Sequence, residues 1–165
     1  MLCTMITIEE KKYVPAYLFV ILRIYLGVIL LYTVYGKLSA DTPFVDEMLA
    51  YLKIMMGRGR MPSFYLHFLQ SMVLPHAKIF SYMVMTGELT AGIGLLTGTC
   101  TRLCAFIALL LFLNFLFSKG RWFWSPDSED AAVFFIALVL IPGRAGRLFG
   151  VDQFLAKKWP DSLLW

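Results

Sequence analysis

The chain has 165 residues, of which 59% are hydrophobic and only 16% are charged, whereas soluble domains carry about a quarter charged residues. A water-soluble fold of this length could not bury so much apolar side chain, so the composition excludes an ordinary soluble domain and indicates one embedded in lipid. The net charge of +4 is small and the basic residues are scattered, so no nucleic-acid-binding stripe is present and no nucleic-acid partner is expected.

Four apolar stretches are long enough to cross a bilayer as helices. They cover residues 14–35, 77–97, 100–118 and 130–149. A lone strand cannot satisfy its backbone in lipid, and barrel strands would be about half as long. The sequence therefore predicts an all-α integral membrane four-helix bundle, a single transmembrane domain over residues 1–165. The charged run at residues 9–12 and the lack of a cleavage site mark the first stretch as a retained span rather than a signal peptide.

The connection between the first two spans, residues 38–76, is long and not plainly polar. Thr42-Pro43 can start a helix whose apolar residues share one face, and Gly57-Arg58-Gly59-Arg60 ends it. Pro62-Ser63 opens a second segment of the same kind. We expect two short amphipathic helices that lie at the membrane interface or cap the bundle.

Tryptophans flank the last spans. Trp122 and Trp124 follow the third span, which is where amphipathic rings anchor helices at the interface, although a stacking site for a planar ligand is the alternative. Trp159 and Trp165 lie in the C-terminal tail, residues 150–165, which is expected to be interfacial or to bind a partner.

Three charged residues in or beside the spans are candidates for a functional site. Arg23 and Glu88 lie well inside apolar spans, where an unpaired charge costs several kcal/mol. Counted from the span ends, both lie about nine residues from the same membrane surface, so we expect them to meet directly or through water. Such a pair either fixes the helix register or lines a quinone site or proton path, with Arg102 as a further member.

The second span also contains small residues at helical spacing, namely Gly87, Ala91, Gly94 and Gly98. Small residues allow helices to approach closely, so packing is the favoured interpretation. A ligand pressed against the exposed backbone is the alternative.

The cysteines and histidines do not form a clear metal or haem site. Cys100 and Cys104 are four residues apart, on one face of a helix. We interpret them as buried inert cysteines, and a redox pair is the less favoured alternative. His67 and His76, the only histidines, both fall in the first connection. They cannot be axial haem ligands from opposing spans, so no metal site and no intrinsic cofactor are predicted.

Several motifs resemble those of the DoxX-like family, which includes the DoxD-type subunit associated with thiosulfate:quinone oxidoreductase. The similar segments are Leu22-Arg23, Gly27, Tyr35-Gly36-Lys37-Leu38, the run from Gly87 to Gly98, Thr101-Arg102, Pro142-Gly143-Arg144 and Asp152. The resemblance covers most of residues 18–155. It implies a four-helix protein of a bacterial or archaeal cytoplasmic membrane that works beside quinones or redox partners. It also implies cytoplasmic termini, an orientation that charge counting leaves open because seven basic residues fall on each side.

These observations favour a non-catalytic or accessory subunit of a membrane redox or electron-transfer complex, whose partners are membrane lipid and other membrane-protein subunits. An integral quinone-reducing subunit, with Arg23, Glu88 and Arg102 around the head group, is the second hypothesis. A small transporter is the third, although no inverted repeat is visible.

Overall fold

A computed structural model describes residues 14–125, 128–143, 145–159 and 162, with residues 14–16 described by their backbone alone. Some positions used above lie outside the described residues: the charged run 9–12, Arg144 and Trp165.

Every regular element in the described part of the chain is helical. The helices are α1 (Val14–Ser39), α2 (Phe44–Gly57), α3 (Ser63–Phe68), α4 (Ala77–Thr97), α5 (Thr101–Lys119), α6 (Glu129–Gly143) and α7 (Asp152–Lys158). A π-helical turn (Leu69–Val73) continues α3, and a 3₁₀ turn (Ala145–Arg147) follows α6. The all-helical prediction is confirmed for these residues.

Among the described residues, three helices are long and apolar enough to cross a membrane: α1 from Tyr17 onward, α4 and α5. They confirm three of the four predicted spans. The predicted fourth span was too long, because α6 has 15 residues and ends at Gly143. Pro142 and Gly143 disfavour continuation of an α-helix, and the chain turns into the 3₁₀ segment instead.

The long helices pack around one apolar core. α1 lies against α4 and α6, and α5 lies between α4 and α6. Leu26 and Leu30 of α1 meet Ala91 and Leu95 of α4 in this core, and small residues of α5 and α6 complete it. The backbones of α1 and α4 approach closely at Gly27, where an added Cβ would meet the α4 backbone. This approach is the tight packing that small residues permit.

Helices α2 and α3 with the π-turn form a separate layer, which we call the cap. Pro43 and Pro62 stand directly before the two helices, at the positions that the sequence predicted as helix starts. The cap has its own small core of Leu52, Tyr65, Leu69 and Val73. Gly120, with φ of 59°, lets the end of α5 approach the backbone of Arg60, where a Cβ would collide. This contact joins the cap to the end of the bundle.

Candidate functional site

A cavity of about 480 Å³ lies between the cap and the ends of the long helices. We call it the chamber. Its apolar wall includes Phe44, Met48, Leu52, Phe80, Phe112 and Phe115. The volume lies within the usual range of small-molecule sites, which are mostly apolar with a few placed polar groups. The chamber is therefore the place to look for a ligand.

An ion pair lies at the inner wall of the chamber. Lys37, in the last turn of α1, donates to the Glu88 carboxylate of α4 with an Nζ–Oε distance of 2.5 Å. Glu88 is 1% exposed and the Lys37 side chain 17%. The Lys37 ammonium also lies 4.5 Å from the centre of the Phe44 ring and 5.7 Å from that of Phe115. An acidic group this deep in an apolar span needs such a partner, and the aromatic faces add attraction to the cation.

A hydrogen bond joins the cap to α5 across the chamber. Tyr65 donates its hydroxyl to Oδ1 of Asn114 at 2.9 Å. Burial raises the pKa of Tyr65 well above its ordinary value, and the neighbouring Tyr51 adds to the shift. Tyr65 therefore stays protonated and remains a hydrogen-bond donor. The amide N–H₂ of Asn114 is left with donor capacity for a second partner.

The chamber is closed at the α5–α6 side by a second ion pair. Lys119, the last residue of α5, lies 2.5 Å from Oδ2 of Asp130 in the first turn of α6. Both residues line the chamber. The pair fixes the start of α6 beside the end of α5, and an acidic group in a first helical turn also suits the helix dipole.

The predicted contact between Arg23 and Glu88 is wrong. Arg23 is buried, but its Nη2 donates to the carbonyl oxygen of Phe149 at 2.5 Å. Its guanidinium lies beside Gly98 and Gly150, where an added Cβ would overlap it. Glu88 instead pairs with Lys37, so the two predicted partners occupy different ends of the bundle.

The register of α1 against α4 explains this correction. Arg23 is level with Gly98, and Lys37 is level with Glu88. Ten residues of helix separate these two levels on α4, which is about 15 Å. Counting depth from the predicted span ends failed because α1 extends past the end of α4. There Phe19 packs on Gly143, so the first turns of α1 have no counterpart on α4.

The end of the bundle around Arg23 holds a buried carboxylate. Asp152 is fully buried and accepts hydrogen bonds from Cys100 N at 2.6 Å, Thr101 N at 2.9 Å and Thr101 Oγ1 at 2.6 Å. It thereby satisfies free N–H groups at the start of α5. We call this set the knot; its members are Arg23, Gly98, Thr101, Gly146, Gly150 and Asp152. The backbone is close here, since a Cβ on Gly146 would strike Asp152 and Thr101.

The other predicted site residues lie away from the chamber. Arg102 is half-buried at the start of α5 and does not line the chamber. Trp122 and Trp124 are 75% and 86% exposed. The free cysteines Cys100 and Cys104 lie at the knot end, near Asp152 and Thr99 respectively.

The small residues of α4 pack against both α1 and α5. Gly87 faces Leu111 of α5, and a Cβ on Gly94 would overlap the Cys104 sulfur. Ala91 is fully buried in the core. Gly92, which the sequence analysis did not single out, faces Leu30 and Leu31 of α1. All of these contacts are helix packing.

Both histidines, His67 and His76, are exposed. Within the described residues, no group of three His, Cys, Asp or Glu side chains is arranged to hold a metal ion.

Sequence reasoning missed most of the polar groups in the chamber. In the sequence, Lys37 stands out only as part of the motif Tyr35-Gly36-Lys37-Leu38. Asn114 is the only asparagine of the chain and lies in the middle of an apolar stretch, which is a signal that could have found it. Tyr65 was not distinguishable from the other aromatic residues of the connection, because its role depends on how the cap folds over α5.

Comparison with known protein families finds a match over most of the chain. The sequence profile of the DoxX family matches residues 18–119, a range that includes the cap and all residues lining the chamber except Asp130. The motifs at Pro142-Gly143-Arg144 and Asp152 lie outside it. No curated protein and no solved structure matches the chain significantly.

Proposed function

The chain belongs to the DoxX family, and on that premise we propose that it is an integral membrane protein that binds the head group of a lipid-soluble quinone in the chamber. The observation that carries this proposal is the ion pair of Lys37 and Glu88 in the wall of a mostly apolar cavity. In the cell, the protein would be a subunit of a membrane redox complex, in which a partner subunit supplies or takes up the electrons.

The chemistry of a quinone ring suits the lining. The ring is flat and apolar, with two carbonyl oxygens that accept hydrogen bonds, so it needs aromatic or aliphatic walls and a few donors. Phe112 and Phe115 offer the walls. Lys37 Nζ of α1 and the Asn114 amide of α5 both line the chamber and offer donors for the two oxygens. The role of Glu88 would be to hold the Lys37 ammonium in place.

A quinone-free accessory subunit is the second candidate, and the outer face of α1 favours it. Six exposed residues follow one another at alternating spacings of three and four, which is the seam spacing of paired helices. They are Leu18, Ile21, Tyr25, Val28, Tyr32 and Tyr35. Tyr25 lies near the middle of the span, where a hydroxyl facing lipid is unfavourable. A helix of a partner subunit could cover this face.

The topology that we propose has four crossings. α6 is only about 22 Å long, but it bridges the same two levels as α5. At one end Lys119 pairs with Asp130. At the other end Asp152 N donates to Gly98 O at 2.9 Å, beside the start of α5. The 3₁₀ turn after α6 would complete the crossing and place both termini on one side, taken as cytoplasmic by analogy with the family. Reporter fusions at both ends would test this.

Quinone binding is testable on the purified protein in mild detergent. Organic extraction followed by chromatography should recover quinone from the wild type. Titration with a short-chain ubiquinone analogue should saturate. Lys37→Met removes a donor and Glu88→Gln removes the charge that holds it, so each should weaken binding at least tenfold.

Arg102→Gln is the matched control, because Arg102 is a charged residue outside the chamber, and it should bind as the wild type does. If the wild type neither retains nor binds quinone, while native mass spectrometry finds it joined to other membrane subunits, the accessory role replaces the quinone proposal.

A further inference from the structure

A second cavity, of about 300 Å³, lies beside the chamber. We call it the vestibule. It is lined by Tyr51, Met55, Arg58, Lys119, Arg121 and Glu129. Tyr51 and Lys119 also line the chamber, so the two cavities share a wall. The vestibule draws its lining from the cap, the end of α5 and the start of α6.

The charges of the two cavities differ in sign. Three cationic side chains and one acidic side chain, Glu129, line the vestibule. Lys119 has its counter-ion in Asp130, which lies on the chamber side. Arg58, Lys119 and Arg121 outnumber Glu129, so the lining of the vestibule has a net positive charge. The chamber carries more acidic than cationic groups, because Glu47, Glu88 and Asp130 face two lysines there. An anion is favoured in the vestibule and not in the chamber.

The level of the vestibule in the membrane follows from its neighbours. Lys119 is the last residue of the candidate span α5. Trp122 and Trp124 follow it with their rings exposed, at the place where tryptophans mark the border between hydrocarbon and head groups. The vestibule thus lies at the depth of lipid phosphates, where basic pockets between helices bind anionic head groups.

The polar groups of the vestibule suit an oxyanion. Two guanidinium groups can each offer paired N–H donors in the geometry of a phosphate. The Tyr51 hydroxyl makes no hydrogen bond of acceptable geometry within the described residues. It lies near Ser118, whose hydroxyl donates to the Phe115 carbonyl at 2.8 Å and keeps acceptor capacity. Tyr51 lies on the wall between the two cavities.

We propose that the vestibule binds a phosphate group, held by Arg58 and Arg121, as the head group of an anionic lipid. This goes beyond quinone binding and does not depend on it. The alkyl chain of the lipid would lie in the surrounding membrane, and the phosphate would lie in the vestibule beside the chamber. The same chemistry could be supplied by free phosphate, which the experiment separates from lipid.

The test uses the full chain in a neutral detergent, with tryptophan fluorescence or native mass spectrometry as the readout. The probes are hexadecyl phosphate, hexadecanol and inorganic phosphate. Hexadecyl phosphate should bind at least tenfold more tightly than hexadecanol, and more weakly as salt increases. If inorganic phosphate displaces hexadecyl phosphate at a similar concentration, the result supports the site with free phosphate as its ligand. If inorganic phosphate does not displace it, the result supports an anionic lipid as the ligand.

The variant R58Q/R121Q should bind hexadecyl phosphate at least tenfold more weakly than the wild type. Lys53→Gln is its control, because Lys53 is exposed on α2, the helix that Arg58 directly follows, and lines neither cavity. Thermal unfolding of each variant checks that the fold is kept. The proposal is overturned if hexadecanol binds as tightly as the phosphate, or if the folded double variant binds as the wild type does. Quinone binding is measured on the same samples, so either proposal can fail alone.

Discussion

The two ends of the bundle bury charge in opposite ways. At the knot, the Asp152 carboxylate accepts three hydrogen bonds from the start of α5, and glycines bring backbone against the Arg23 guanidinium. At the chamber, Lys37 and Glu88 face an open volume of about 480 Å³. Polar groups enclosed by their own chain stabilise one arrangement, whereas polar groups beside a cavity have capacity left for a ligand.

This difference sets the expected behaviour of variants. Changes in the knot should lower stability and leave ligand affinity of the folded protein unchanged. Changes in the chamber should alter affinity more than stability. Each variant is therefore measured twice, by unfolding in a mixed detergent with denaturant and by quinone titration of the folded fraction.

The largest loss of stability is expected for Asp152→Ala. It removes the acceptor of three hydrogen bonds and leaves the buried Arg23 without the nearest carboxylate. Removing one partner from a buried charged network typically costs about 3–5 kcal/mol. The unfolding midpoint reports the loss, and Asp41→Ala, in an exposed loop, is the control. If Asp152→Ala unfolds at the same midpoint as the control, the knot does not contribute to the stability of the fold.

Gly98→Ala comes next. Gly98 has φ of 72°, and its added Cβ would overlap the Arg23 guanidinium and the Gly150 Cα. Strain at a left-handed position and overpacking each cost about 1–3 kcal/mol. We therefore expect the free energy of unfolding to fall by about 2 kcal/mol or more. Gly36→Ala is the control, because it lies in α1 with nothing near the new methyl group. Equal unfolding midpoints for the two variants would show that the knot can relax.

Much of the fold follows from the sequence, because hydropathy and proline positions depend only on local residues. α4 has the predicted bounds, and Pro43 and Pro62 precede the two cap helices as predicted. The site follows far less well. Which residue pairs with Glu88 depends on the register between α1 and α4, and the residue that pairs with it is Lys37, fourteen positions after Arg23 on α1. Hydropathy gives span ends only approximately and carries no information on how one helix slides along another.

The ion pair of the chamber should show a moderate coupling energy. Lys37→Met, Glu88→Gln and the double variant form a double-mutant cycle. Each single change should cost about 2 kcal/mol, less than for a fully enclosed pair because Lys37 is partly exposed. The double change should cost less than the sum, with a coupling of about 1–2 kcal/mol. The exposed contact between Thr42 and Glu47 is the comparison, where coupling should be near zero. Equal coupling in the two cycles would contradict the burial argument.

The smallest effect is expected for Tyr65→Phe, which removes the hydrogen bond to Asn114. The loss should be about 0.5–1.5 kcal/mol at pH 7, against almost none for Tyr32→Phe on the exposed face of α1. The effect of pH has a definite sign. Burial raises the pKa of Tyr65, so above about pH 10, the ordinary value for tyrosine, the unfolded chain loses this proton and the folded chain keeps it. The wild type then loses stability as pH rises, and Tyr65→Phe should lose less. Parallel pH profiles for the wild type and Tyr65→Phe would mean that Tyr65 is not buried as the cap structure requires.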